Sequence, residues 1–451
     1  MATARTPNTD LMDVIAQSGW TYERLARAIR AIAAENGELL HTNKSAVAHW
    51  TTGVQPGIRT RRYLAEALSR RMGRTVTLVE IGLAQADDSH LLTVDPITAA
   101  IDLGRAGMRR ESFLSSAAFT VGSIAAPLSY DHESVSRMLR ARRPGAAIGA
   151  EEIATVRHVT AAFGAADERH GGGHGLTTVM AYLADTAAPL LSGRFPSEAV
   201  RRDAFGAVAE LAYLAGWKFH DLGSEGAAQR YYLTAYQLAY EADPFGHSAW
   251  MLRVLAHQAL HLKRADHCLE LTAEALQRAS GRVDGGMQAV LYVTRARACA
   301  ASGRPAEAAR ALLDAADAVA RTDEQTPSYA TATGPASGTV ASQTARTLKD
   351  LGDHVNTERH YRAALSERDP GAFRRIHALT FVDLGTSLAS QARADEAVAT
   401  WGEAMNHLGG VASSRHREAV ATMRRTLTTY KRRRVPGAAD LDRRARGLLA
   451  T

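Results

Sequence analysis

Apolar positions near the N-terminus fall on helical stripes. LMDVIAQSGW, after the capping-type Asp10, reads as a short helix that Gly19 stops. TYERLARAIRAIAAENG starts a second helix at Thr21 and puts Leu25, Ala28, Ile29 and Ile32 on one face. In HTNKSAVAHWTTGVQP, Thr42 or Asn43 caps a helix from Lys44 to about Thr51; Val47 and Trp50 turn inward, and Gly53 and Pro56 end it. IRTRRYLAEALSRRMG adds a fourth, with Tyr63, Leu64, Ala67 and Leu68 inward. VTLVEIGLAQADDSHLLTVDP (Val76 to Pro96) then has the composition of a linker ending at Asp95-Pro96. RRESFLSSAAFTVGSIAAPL and EEIATVRHVTAAFGAADERH continue the helical pattern.

From about Asp203 the chain repeats itself. GWKFHDLGSEGAAQRYYLTA (from Gly216), AHQALHLKRADHCLELTAEA (Ala256), ARACAASGRPAEAARALLDA (Ala296), ARTLKDLGDHVNTERHYRAA (Ala345) and GTSLASQARADEAVATWGEA (Gly385) align on small residues. Successive starts differ by 40, 40, 49 and 40 residues, the extra nine lying in TPSYATATGPASG. Each unit has a small residue where two helices cross, a central turn and a second small residue. A large residue follows four positions later, including Tyr232, Leu312, Tyr361 and Trp401. Such spacing specifies stacked helical hairpins. The expected fold class is all-α: a helical head over residues 1–82, a linker over 83–96, a connecting or dimerisation region over 97–202, hairpin repeats over 203–408 and a basic helical cap over 409–451.

Composition narrows the class further. At 451 residues the chain exceeds what one core usually serves. Its Ala-rich segments and sparse β-branched runs favour helix. The longest weakly charged apolar stretch, Ala117 to Tyr130, falls short of a membrane span, and MATARTPNTD is not a secretory signal. Two cysteines, Cys268 and Cys299, make no disulfide framework. A cytoplasmic protein without membrane contact or cofactor is expected. The formal charge of +7 is unevenly placed: His41 to Arg74 carries +6 and Arg424 to Arg446 carries +7, leaving −6 for the remainder. The C-terminal run reads first as a solvated face.

The N-terminal cluster coincides with a motif. LARAI in the second helix and VAHWTTG closing the third resemble the lambda-repressor-like (XRE) helix-turn-helix domain over Asp10 to about Gly73, although the connector AAENGELLHTN is longer than that family's tight turn. The resemblance implies a recognition helix entering the major groove by its N-terminus, where positive dipole and free N–H groups meet phosphate. Thr42, Asn43, Lys44, Ser45 and His49 then face base edges, and Arg59, Arg61 and Arg62 grip phosphates.

The hairpin units are similar to tetratricopeptide repeats, whose usual period is shorter. That resemblance implies a concave groove lined by Glu210, Tyr213, Trp217, His220, Trp250, Arg253, His257, Arg297, Arg346 and Lys349. Aromatics lie at one end and cations at the other, suiting an acidic peptide or small signal molecule.

No nucleophile elbow, P-loop, HExxH or CxxC is present, so an enzyme is not expected. DERHGGGHG (Asp167 to Gly175) reads as a wide helix-to-helix turn, with His170 and His174 directed to the sensor groove or a dimer contact rather than to a metal. The whole resembles actinobacterial-type regulators: a homodimeric, sequence-specific binder of double-stranded DNA whose repeats sense a small molecule, peptide or protein partner. The alternative is a scaffold that binds a protein partner and no DNA.

Overall fold

The computed structural model describes residues 6–35, 39–72, 76, 78, 80–83, 94–108, 126–129, 132–133, 139, 145–321, 327–332, 334–409, 411 and 413–450. It is all-α: a four-helix head is followed by a superhelix of hairpins. RRESFLSSAAFTVGSIAAPL lies almost wholly outside the described residues.

The head consists of α1 (Thr9–Ser18), α2 (Tyr22–Glu35), α3 (Lys44–Thr51) and α4 (Ile58–Met72). Leu11, Ile15, Leu25, Ile29, Val47, Trp50, Tyr63, Leu64 and Leu68 form its core, so the apolar stripes converge as the pattern specifies. The cap of α1 is Asn8 rather than Asp10: Asn8 Oδ1 accepts from Leu11 N at 2.9 Å, while its amide donates to Ile81 O at 2.9 Å. Val76, Ile81 and Leu83 are buried in the same core. The linker composition beginning at Val76 therefore hides a packed strap that runs to Leu83, and residues 84–93 of the expected linker lie outside the described residues.

Beyond the head come α5 (Pro96–Met108), α6 (Ala150–His170) and α7 (Leu176–Tyr182). The last runs on through a π turn (Leu183–Ala187) and one further turn (Ala188–Leu190). Six hairpins follow among the described residues: α8 (Glu198–Asp221) with α9 (Glu225–Ala242), α10 (Gly246–His261) with α11 (Ala265–Ala279), and α12 (Gly285–Ala301) with α13 (Pro305–Val319). Next come α14 (Ala336–Asp350) with α15 (His354–Ser366), α16 (Arg374–Ser390) with α17 (Ala394–Leu408), and α18 (Ser414–Arg432) with α19 (Ala438–Ala450).

One backbone device recurs at every hairpin. Gly223, Lys263, Gly303, Gly352, Ala392 and Arg434 all have positive φ, between 58° and 83°. The first five occupy the same position in the five aligned units, and Arg434 marks a sixth that alignment missed. A left-handed residue lets its own N–H and the next one reach the last carbonyls of the first helix; Gly223 N bonds to His220 O and Ser224 N to Phe219 O. An L side chain there costs about 1–2 kcal/mol, part of which glycine returns as unfolded-chain entropy. Ala392→Gly is therefore expected to stabilise the chain by about 0.5–1 kcal/mol, measured by urea unfolding.

The small and large residues of each unit also meet. A Cβ on Gly216 would lie 2.7 Å from the Tyr232 ring, and one on Gly385 would lie 2.5 Å from that of Trp401. Close packing at those crossings is what the two positions encode.

Apolar packing does not run through the whole superhelix. One core extends from Ile97 to Val340 and a second from Ala345 to Ala445, so they part within α14. Polar and charged contacts span the division.

Candidate functional site

In the head, α3 starts at Asn43, whose Oδ1 accepts from Ala46 N at 2.9 Å. Lys44, Ser45 and His49 are exposed on the face opposite buried Val47 and Trp50. Other expected DNA contacts are placed differently. Thr42 is buried, and its carbonyl accepts from Arg30. Arg61 is only 6% exposed; its Nε donates to Pro56 O at 2.7 Å and its Nη1 to Leu83 O at 3.3 Å. It fastens the strap to α4 instead of reaching a phosphate, because the strap's carbonyl needs a donor that no helix supplies. The side chains of Arg59 and Arg62 lie outside the described residues.

The superhelix closes on itself at a buried ion network. Arg375, at the start of α16 and 2% exposed, reaches Asp167 Oδ2 (2.7 Å), Glu168 Oε1 (2.7 Å) and Asp221 Oδ2 (3.5 Å). Lys218 joins Asp167 Oδ1 at 3.1 Å. Burial pushes the Glu168 carboxyl up, against the pull of Arg375. At Asp221 burial acts in the same sense, but Arg375, Arg415 and hydrogen bonds from Gly172 N and Ser413 outweigh it and hold the carboxyl down. Ser413 Oγ donates to Asp221 Oδ1 at 2.9 Å and Ser414 Oγ to Asp221 O at 2.6 Å, tying the start of α18 to the end of α8.

DERHGGGHG sits at this junction. Its two carboxylates are two of the three anions of the network, Gly172 N donates to Asp221 Oδ2 at 3.0 Å, and His174 O accepts from Lys218 Nζ at 2.9 Å. Gly171 and Gly175 have φ of 83° and 64°. The stretch is a turn, as expected, but its role is to close the array. The His170 and His174 rings meet tilted at 4.6 Å between centroids, and both residues are exposed.

The expected continuous groove is divided by this closure. Tyr213, Trp217 and Trp250 line a cavity of about 530 Å³ bounded by α6, α8, α10 and α16. Glu210 lies there too; burial pushes its carboxyl up against the nearby Arg157. Ser328 and Tyr329, from the nine-residue excess between the third and fourth units, complete the wall. Ser328 donates to Glu210 at 3.1 Å, and Tyr329 stacks on His247 at 4.1 Å. Burial holds His247 down at about 3, so its ring is neutral at physiological pH. Trp250 is 1% exposed, and its Nε1–H meets no acceptor among the described residues. The cavity thus offers aromatic walls, which suit an apolar small molecule.

Arg297, Arg346 and Lys349 line a separate pocket of about 330 Å³ between α10, α12, α14, α16 and α18. His220, Arg253 and His257 line neither space. His220 pairs with Glu225 at 2.8 Å, and Arg253 lies over the Trp250 ring and reaches Thr294 at 3.4 Å. Burial, then the charges of Arg253 and Arg297, drive His257 down. His220 and Arg253 are buried and His257 half-buried, so these three contact neighbouring side chains rather than either space. Sequence reasoning missed Arg157, Tyr329, Phe373 and Arg375; the nine-residue excess was the signal for Tyr329, and nothing in the repeat alignment marked the other three.

The C-terminal basic run is partly structural. Buried Asp442 collects Arg424 (2.9 Å), Lys431 (2.6 Å) and Arg446 (3.5 Å), joining α18 to α19. Arg425, Arg432, Arg433 and Arg434 remain exposed.

Among the described residues no group of three or more His, Cys, Asp or Glu side chains could hold a metal, and no helix is long and apolar enough to cross a membrane. A family model described as the SP15 N-terminal domain matches residues 11–84. That span coincides with the head core, Leu11 to Leu83. No curated protein matches the chain.

Proposed function

We propose that the chain is a cytoplasmic, sequence-specific DNA-binding regulator resembling the lambda-repressor-like type, with tetratricopeptide-like hairpins that hold a signal ligand and mediate dimerisation. The observation that carries this reading is α3: a short helix with an exposed Lys44, Ser45 and His49 face at its N-terminal half and no acid in its first turn. Such a helix presents its positive dipole end and short polar groups to a groove. The aromatic cavity is the place for the signal ligand in this reading, and ligand-dependent closure of the array alters the spacing of two heads.

The test is selection of bound fragments from a random duplex library, followed by anisotropy titrations. Lys44→Ala combined with His49→Ala is expected to weaken binding to the selected sequence roughly a hundredfold, at about 1–3 kcal/mol for each lost contact. No enriched sequence, or unchanged affinity in the double variant, sinks the proposal. A second reading, a scaffold for a protein partner, is favoured by the burial of Thr42 and Arg61, which removes two of the expected DNA contacts. Under it the same double variant retains its partner.

A further inference from the structure

The 330 Å³ pocket gathers more positive charge than its own fold uses. Arg297 from α12, Arg346 and Lys349 from α14, and Arg415 from α18 all line it. Asp383 pairs with Arg346 at 3.0 Å and acts on Arg415 only from farther away. Arg297 donates to Gln343 Oε1 at 2.8 Å, but its Nε–H is buried without an acceptor. Arg415 lies over the Trp217 ring at 5.3 Å and has no hydrogen bond or ion pair among the described residues.

Burial, and then the charge of Arg346, push Arg415 down, and the same two causes bring Arg297 to about 10. Asp350 and Glu418 also line the pocket; both are exposed to water, and neither makes an ion pair among the described residues. Water screens such exposed carboxylates far more than it screens the deeper cations. His261, the remaining titratable group there, is pushed down by burial and by His220. Mutually repelling guanidiniums retained at one place are a local violation of packing rules, and such violations concentrate at functional sites.

We propose that this pocket binds a compact phosphate-bearing oxyanion of two or more negative charges, held by Arg297, Arg346 and Arg415. Three guanidiniums arriving from three helices can each meet a different oxygen of a tetrahedral phosphate, whereas a carboxylate offers two oxygens in one plane. The site goes beyond the regulator reading and does not depend on it, since neither the head nor DNA takes part.

Calorimetric titration of the full chain with pyrophosphate at fixed ionic strength tests it, with malonate as the dicarboxylate control and no DNA present. The wild-type protein is expected to bind pyrophosphate more tightly than malonate. Arg297→Gln and Arg415→Gln each weaken pyrophosphate binding roughly tenfold or more. Arg432→Gln, the same charge change at the exposed end of α18, leaves the affinity unchanged. Each pocket variant removes like-charge repulsion together with one favourable contact, Arg297 with Gln343 or Arg415 with Trp217, so melting temperatures without ligand are read alongside to show that both fold. Should either fail to fold, Lys349→Gln carries the test with a smaller loss. No heat of binding in the wild type, equal affinity across the variants, or malonate binding as tightly as pyrophosphate overturns the proposal.

Discussion

Arg375→Met is expected to lower stability by about 3–5 kcal/mol, because removing one partner from a buried ion network strands the others. The stranded groups are Asp167, Glu168 and Asp221, of which Lys218 still answers only the first. The loss should depend on pH in a definite sense. In the wild type Asp221 is held below its ordinary value, so its contribution is present above the unfolded carboxylate pKa and disappears as pH falls through its lowered value. Glu168 is raised, so its ionised form costs stability, and that cost grows as pH rises through its raised value. Without Arg375 both carboxyls move up. The deficit is therefore largest at neutral pH and shrinks as pH falls into the carboxylate range. Urea unfolding of both proteins at neutral and mildly acidic pH checks this; a deficit independent of pH would assign Arg375 a packing role only.

Small-angle scattering adds a second readout. The network joins α6 and α8 to α16, so the variant should show a larger radius of gyration under conditions where its helix content is unchanged. Equal radii would place the closure in other contacts.

Gly172→Ala is expected to cost about 1–3 kcal/mol, and more if the backbone resists movement. A Cβ there would lie 2.5 Å from the carbonyl oxygen of Lys218 and 3.0 Å from Asp221 Cβ, and the first of these is backbone that cannot swing aside. Any shift also disturbs the Gly172 N–H bond to Asp221, the carboxylate that receives Arg375 and Ser413. Gly175→Ala is the comparison: its Cβ would meet open space, so only the cost of a positive φ applies, about 1–2 kcal/mol. Thermal unfolding of the two variants separates close approach from backbone conformation, and the steric account fails if Gly172→Ala is the milder.

These residues mark what was legible in the sequence. The head's apolar stripes at Leu25, Ile29 and Ile32, and at Val47 and Trp50, obey helical period, and burial follows period when each helix has one partner face. The hairpin units were legible for the same local reason: a helix crossing needs a small residue opposite a large one, so Gly216 with Tyr232 and Gly385 with Trp401 leave a period in the chain. The sixth hairpin escaped because Leu427 stands where the five aligned units begin with Gly or Ala.

Roles that depend on distant partners were not legible. Arg61 was expected at a phosphate and is instead buried beneath a strap whose composition reads as a linker. His220, Arg253 and His257 share helical register with groove residues, but they contact neighbouring side chains rather than either space. The sequence alone determined the helices, the two-part layout and the hairpin period, since all three rest on contacts within some forty residues. Only the tertiary structure decided that the array closes, that DERHGGGHG supplies the closing anions, and that the lining splits into an aromatic cavity and a cationic pocket. Those outcomes rest on Arg375 meeting Asp167 and Glu168 across roughly two hundred residues of chain, in a low-dielectric interior where the pairing of charges depends on geometry rather than sequence spacing.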